Sequence, residues 1–262
     1  MEVQPGVSLL RDYSRQAQTY DETRAASPSV LAPLREALEG APGHRLADIG
    51  GGTGNYSRAL REEGWDPVVV DREPAMLGRA AAKGLETIEA DARSLPFADE
   101  SFDAAMLVSM LHHVEDPPAA LREARRILRP GGRLALMVFT REDLADLWLS
   151  DYFPSTRAWI VESHPPLGEL LAPLPGARRI EVVFRDLEDG SLAALAAHPE
   201  HIVDPAWNRQ TSYFERLERD HPEELVAGLA RLRAELAAGT APRRPGLASV
   251  LAWAKPARAD RY

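Results

Sequence analysis

Over residues 44–140 the chain alternates short, mostly apolar runs, some of them unbroken, with stretches whose apolar positions recur every three or four residues. The runs Arg45–Ile49, Pro67–Val70, Leu85–Ala90, Ala104–Val108 and Leu134–Phe139 read as strands. Between them Tyr56–Glu63, Pro74–Lys83 and Pro117–Leu128 read as helices, the last with Ala120, Leu121, Ala124, Ile127 and Leu128 at helical spacing. Asp116 is a suitable N-cap, Pro117 fits the first turn, and Gly131-Gly132 punctuates the end. Strands that are apolar throughout and separated by helices belong to a sheet covered on both faces. The expected fold is α/β: a doubly wound, Rossmann-like sheet, mostly parallel with an antiparallel last strand, helices on both faces, and a helical lid and insertion.

After Phe139 the rhythm breaks. Residues 140–175 carry Trp148, Tyr152, Phe153 and Trp159 among several prolines. Arg178–Phe184 and Ala248–Trp253 read as further strands, Ser191–Leu236 as mostly helical, and the segment before Ala41 as two helices, the second starting near Ser27-Pro28. The expected organisation is therefore 1–40 as an N-terminal helical lid, 41–140 as a Rossmann-like core, 141–176 as an insertion covering the active site, and 177–262 completing the sheet with a helical substrate-side segment. An insertion just past a strand's C-terminal end is a common cover for the ligand crevice of such folds.

Composition narrows the chemistry. The 262 residues contain no cysteine, which removes disulfides, thiolate metal sites and a cysteine nucleophile. A net charge of −9 argues against general affinity for nucleic-acid backbone. The start MEVQPGVSLLRDYSR lacks the pattern of a signal peptide, and no apolar run reaches the length of a membrane span, so a cytoplasmic location is expected, as monomer or homodimer. No metal site is expected; His198 and His201 lack a third ligand.

The informative stretch is Asp48-Ile49-Gly50-Gly51-Gly52-Thr53-Gly54-Asn55, which follows a strand and opens a helix. Glycines let the backbone turn sharply and approach a ligand, and a helix N-terminus offers free N–H groups. Asp71 ends the next strand, where an acid can accept hydrogen bonds from ribose hydroxyls. A dinucleotide fingerprint would need glycine where Asn55 stands; the spacing present is Gly50-x-Gly52-x-Gly54.

With those residues the chain resembles the class I S-adenosylmethionine-dependent methyltransferases, in particular the type-11-like small-molecule enzymes. The likeness continues through Asp71-Arg72, Glu89-Ala90-Asp91-Ala92, Ser101-Phe102-Asp103, Ser109-Met110-Leu111-His112-His113 and Leu128-Arg129-Pro130-Gly131-Gly132, in family order. It implies S-adenosylmethionine as cofactor and S-adenosylhomocysteine as product. It also implies cofactor contacts from Tyr20, Arg24, Asp48, Gly50, Gly51, Gly52, Gly54, Asn55, Asp71, Arg72, Met76, Asp91, Ala92, Ser109 and Met110. Asp91 would accept from the adenine amino group, although alone it could be a helix cap; Met76 either packs on the adenine or fills the core.

The implied reaction moves a methyl group to an O, N or C atom of a small organic acceptor, a natural-product intermediate being the expectation. Its main demand is in-line alignment of the nucleophile. His112 or His113 could serve as general base, and Tyr20 could sit near the methyl group. Glu142 and Asp143 could orient such a base, bind a substrate amine or lie in a solvated loop. His113 with Trp148, Tyr152, Trp159 and Trp207, joined by Phe153 and Tyr213, would line the acceptor pocket, although aromatics are equally typical of plain cores. Two rival readings are an NAD-dependent oxidoreductase and a non-catalytic, S-adenosylmethionine-binding partner protein. Neither nucleic acid nor membrane is expected as a partner.

Overall fold

The computed structural model describes Asp21 and residues 24–188, 190–208 and 211–257. Strands β1 (Arg45–Ile49), β2 (Asp66–Asp71), β3 (Glu86–Glu89), β4 (Phe102–Val108), β5 (Leu128–Val138), β6 (Arg178–Val183) and β7 (Leu247–Ala254) form a seven-stranded sheet in the order β3-β2-β1-β4-β5-β7-β6. β1 runs parallel to β2 and β4, β2 runs parallel to β3, and β6 and β7 are antiparallel. The expected mostly parallel sheet with an antiparallel last strand is the fold observed. Ala47, Ile49, Val69, Ala104, Ala105 and Leu107 are fully buried, as unbroken apolar strands require.

The chain divides into two compact units, the first being Met1–Asp21, Gly40–Ala135 and Ala254–Tyr262, the second Glu22–Glu39 and Leu136–Trp253. In the first, α2 (Asn55–Glu62) follows β1, α3 (Pro74–Ala82) follows β2, and α4 (Pro117–Ile127) precedes β5. Parallel register places Ile49 beside Val70 and Asp71 beside Glu89, so the ends of β1, β2 and β3 fall level. The Asp116 carboxylate accepts the Ala119 N–H at 3.0 Å, the cap the sequence implies. β5 begins at Leu128, earlier than the apolar run suggests, and takes in the Gly131-Gly132 pair read as a turn. Gly131, at φ +78°, donates its N–H to the Lys255 carbonyl, and Lys255 N–H reaches the Gly132 carbonyl, so the backbone pairs through the glycines.

In the second unit α1 (Pro28–Leu38), whose Val30, Leu31, Leu34, Ala37 and Leu38 are buried at helical spacing, lies against β6. Its Ser29 N–H and hydroxyl both bond the Asp186 carboxylate. A large apolar cluster joins Leu144, Trp148, Tyr152, Phe153, Trp159, Ile160, Leu195, Ile202, Phe214, Leu217 and Leu232. Within the 17-residue helix Pro222–Ala238, Gly228 sits where an added Cβ would come within 2.4 Å of the Phe153 ring and 2.7 Å of the Tyr152 carbonyl.

That close approach decides the effect of Gly228→Ala. Alanine gains about 1 kcal/mol of helix propensity, but its methyl group meets a buried ring and a backbone oxygen, and overpacking of that kind costs about 1–3 kcal/mol. Gly228→Ala should therefore lower the unfolding free energy in urea titration; a stabilised variant would show that the contact relaxes freely.

Candidate functional site

The turn after β1 is built from backbone. Gly50, Gly52 and Gly54 have φ of +69°, +56° and +73°, a region that other residues enter only with strain. The N–H groups of Gly50 and Gly51 both reach the Val70 carbonyl, at 2.7 and 3.2 Å, tying the turn to the end of β2. A Cβ at Gly50 would strike Met110, one at Gly51 the Asp48 carboxylate and one at Gly54 Leu85, whereas Gly52 faces open space.

Beside the turn lies a cleft, part of it open to solvent, with about 940 Å³ of empty space. It is lined by Gly50, Gly52, Asp71, Arg72, Glu73, Met76, Ala90, Asp91, Ala92, Arg93, Val108, Ser109, Met110, His113, Val114 and Glu115. The structure therefore brings together ten of the residues singled out from sequence: Gly50, Gly52, Asp71, Arg72, Met76, Asp91, Ala92, Ser109, Met110 and His113.

Two carboxylates in its wall are held differently. Asp71 accepts the Gly52 N–H at 2.9 Å and the Glu73 N–H at 3.0 Å; burial nevertheless lifts its pKa above the ordinary carboxylate value, against those bonds and the Arg72 charge. Asp91 is bound by the Arg93 guanidinium at 2.7 Å and accepts the Arg93 N–H at 2.8 Å; chiefly those Arg93 bonds hold its pKa below the ordinary value, against a small effect of burial. Arg93 also bonds Glu115 at 2.8 Å, bridging the segment after β3 to the one after β4. Neither Arg93 nor Glu115 was singled out from sequence; a basic residue two places after Asp91 was the signal available. Ser109, at φ +52°, holds a strained backbone in the cleft wall, and strain of this kind concentrates at ligand sites.

The other expected residues lie elsewhere. Asp48 is buried behind the turn, accepting the Ser57 hydroxyl at 2.7 Å, while its Oδ1 has no hydrogen-bond partner among the described residues. Gly51 and Gly54 shape the turn without lining the cleft, and Asn55 belongs to a polar cluster with Asp21 and Lys83. His112 is exposed, its ring 3.8 Å from that of His113 between centroids. Tyr20 lies outside the described residues. Arg24, half-buried, belongs to the second unit. So do Trp148, Tyr152 and Trp159, which are buried in its apolar cluster, with Trp207 half-buried against it. The Trp148 indole N–H is shared between the Ala196 and Arg244 carbonyls, both at 3.1 Å. Asp143 is buried in the same unit and fully engaged, by Thr140, by Arg179 at 2.8 Å and by Ser249 at 3.0 Å. Among the described residues no three His, Asp or Glu side chains form a group that could hold a metal, and no helix is long and apolar enough to cross a membrane.

The comparisons with known proteins point one way. A family model described as a methyltransferase domain matches residues 47–136. A demethylmenaquinone methyltransferase from Mycolicibacterium paratuberculosis is 33% identical over 184 residues, covering 63% of this chain and 80% of the relative. The chain belongs to the class I S-adenosylmethionine-dependent methyltransferases. It spans about half the length of other curated relatives that it matches. Among solved structures, one from Anabaena variabilis, described as a methyltransferase of an antibiotic biosynthesis pathway, superposes with a TM-score of 0.74 at 24% identity, over 88% of this chain and 98% of that one. A Haemonchus contortus phosphoethanolamine N-methyltransferase, solved with S-adenosylhomocysteine, gives 0.59 at 18% identity, over 93% of this chain and 57% of that one. Both show the same fold.

In this methyltransferase the buried Asp48 titrates abnormally. Burial pushes its pKa from 3.8 to about 7, with the Asp71 charge adding to the rise and the Ser57 bond opposing it. A raised acid holds its proton in the fold after the unfolded chain has lost it. The stabilisation this gives is complete below pH 3.8, the unfolded value, and is lost as pH rises through about 7. Melting temperatures across pH 4–8 should therefore fall more steeply for the wild type than for Asp48→Asn; parallel curves would show that Asp48 is not protonated in the fold.

Proposed function

We propose that this chain binds S-adenosylmethionine in the cleft beside the glycine turn and transfers its methyl group to an O, N or C atom of a small organic molecule. The observation that carries the reading is the side-chain-free surface of Gly52, open toward the cleft, between the carboxylate of Asp71 and a wall containing Asp91. That donor and acceptor set fits the cofactor. Asp71 would accept the ribose hydroxyls, Asp91 the adenine amino group, Ala92 N–H would meet a ring nitrogen, and Met76, whose side chain is almost wholly buried, would offer its thioether edge from below. When bound, the cofactor supplies a methyl group on a sulfonium, which leaves as a neutral thioether.

The residues' work is then positional. The glycine turn and Ser109 keep backbone close to the ligand, and the Asp71 bonds to Gly52 and Glu73 hold the ribose acceptor rigid. His113 lines the cleft and is the better placed of the two histidines to take a proton from an alcohol, phenol or amine; exposed His112 lies against it with its ring tilted. The names of the relatives lend support to a carbon on a quinone-like ring as one candidate acceptor.

Calorimetric titration tests the cofactor reading. S-adenosylhomocysteine should bind with micromolar affinity and NAD should not, and Asp71→Ala should weaken binding by about 1.5–3 kcal/mol, or roughly 10- to 100-fold. Equal binding of NAD would favour an oxidoreductase, and undiminished affinity in Asp71→Ala would remove Asp71 from the site. Once an acceptor is found, His113→Ala should lower kcat by about 10²-fold or more with little change in cofactor affinity. Unchanged kcat would leave catalysis to alignment alone.

A further inference from the structure

The glycine turn is braced on the side away from Asp71 by a closed polar network. Lys83, at the C-terminal end of α3, places its ammonium 2.9 Å from the Thr53 carbonyl, 2.6 Å from Asn55 Oδ1 and 2.9 Å from Asp21 Oδ2. Those are three acceptors for three ammonium protons. Asp21 completes the circuit, its Oδ1 accepting the Thr53 hydroxyl at 2.7 Å and the Asn55 side-chain amide at 3.0 Å. These bonds draw the Asp21 pKa below its ordinary value even though burial alone would raise it, and Arg79 adds positive charge 3.7 Å from Oδ2.

Thr53 stands between the two left-handed glycines Gly52 and Gly54 and is almost fully buried. Lys83 holds the Thr53 carbonyl and Asp21 its hydroxyl, so the residue between the two glycines is gripped at both its backbone and its side chain. On the opposite side Gly52 N–H is held by Asp71. Lys83 also ends the helix that carries Met76, so one ammonium fixes both the turn and a second wall of the cleft.

We infer that Asp21 and Lys83 are positioning residues for the cofactor: the pair sets the conformation of the Gly52–Gly54 turn, and cofactor affinity depends on a salt bridge that need not touch the ligand. The inference rests on the proposed S-adenosylmethionine site. It assigns Asn55, expected from sequence to contact the cofactor, to this bracing network.

The test is titration of the full chain with S-adenosylhomocysteine, comparing wild type, Lys83→Met, Asp21→Asn and the double variant. Each single substitution should raise Kd by about tenfold with stoichiometry near one, because a mobile turn must be ordered on binding. The double variant should be no worse than the weaker single, since the two act as one unit. Kd within about twofold of wild type overturns the inference. Lost stoichiometry with unchanged affinity also overturns it, since that marks a residue supporting the fold alone; strictly additive losses overturn the paired action. Should Lys83→Met not fold, Thr53→Val removes one bond and no charge, and it should still raise Kd about threefold; unchanged Kd there overturns the role. A wild-type chain that does not bind overturns the parent reading and this inference together.

Discussion

The first unit depends on a steric constraint: four positions in five, over residues 50–54, call for glycine. At Gly50, Gly51 and Gly54 a methyl group would collide with Met110, Asp48 and Leu85 respectively, and at Gly50, Gly52 and Gly54 the backbone lies in the left-handed region. A glycine-rich turn has the most conformational freedom to lose on folding. Its order must come from outside, and each neighbour supplies a part. The Val70 carbonyl takes two of its N–H groups, Asp71 takes a third, Asp48 links behind it to Ser57 on α2, and Lys83 grips Thr53. The parallel register that sets Ile49 beside Val70 is what brings the Val70 carbonyl and Asp71 to the turn.

Around this turn three acids of the same type behave in different ways. Asp48, wholly enclosed, holds its proton to about pH 7 and serves as packing with one hydrogen bond. Asp91, against an arginine and half in solvent, stays ionised. Asp71 lies between them, its burial opposed by two backbone donors. A carboxylate kept charged and rigid at a cleft wall can accept from hydroxyls or amines, whereas a neutral one inside the scaffold costs little to bury.

Much of this was legible in the sequence, for reasons that can be traced. Unbroken apolar runs such as Ala104–Val108, short and set between helical spacings, read as strands covered on both faces, and Asp116 before Pro117 marks a helix start by hydrogen-bond logic that needs no tertiary partner. The glycine turn announced itself because only glycine tolerates that backbone. What stayed hidden depends on long-range contact. Asp21 meets Thr53 and Lys83 from 32 and 62 residues away, and Arg93 meets Glu115 across 22. Gly131-Gly132 looked like a turn because its pairing partner, Lys255, is remote in sequence. The aromatics after Phe139 were ambiguous for another reason: a ring that lines a pocket and a ring that fills a core are the same residue, and Trp148 and Trp159 prove to be deeply buried.

The second unit's aromatic cluster carries a consequence for how the molecule can change. Trp148, Tyr152, Phe153 and Phe214 pack on one another through edge-to-face and tilted contacts, and their requirement is one of volume, which many combinations of large apolar side chains can meet. The glycine turn has no such latitude, since any other residue there meets backbone strain, a side-chain collision or both. Mutational tolerance is thus distributed unevenly along the chain: the second unit's core can drift by repacking, while the turn accepts far less. A library randomised over residues 144–160 and 207–217 would retain folded members at rates that one over residues 50–54 could not approach.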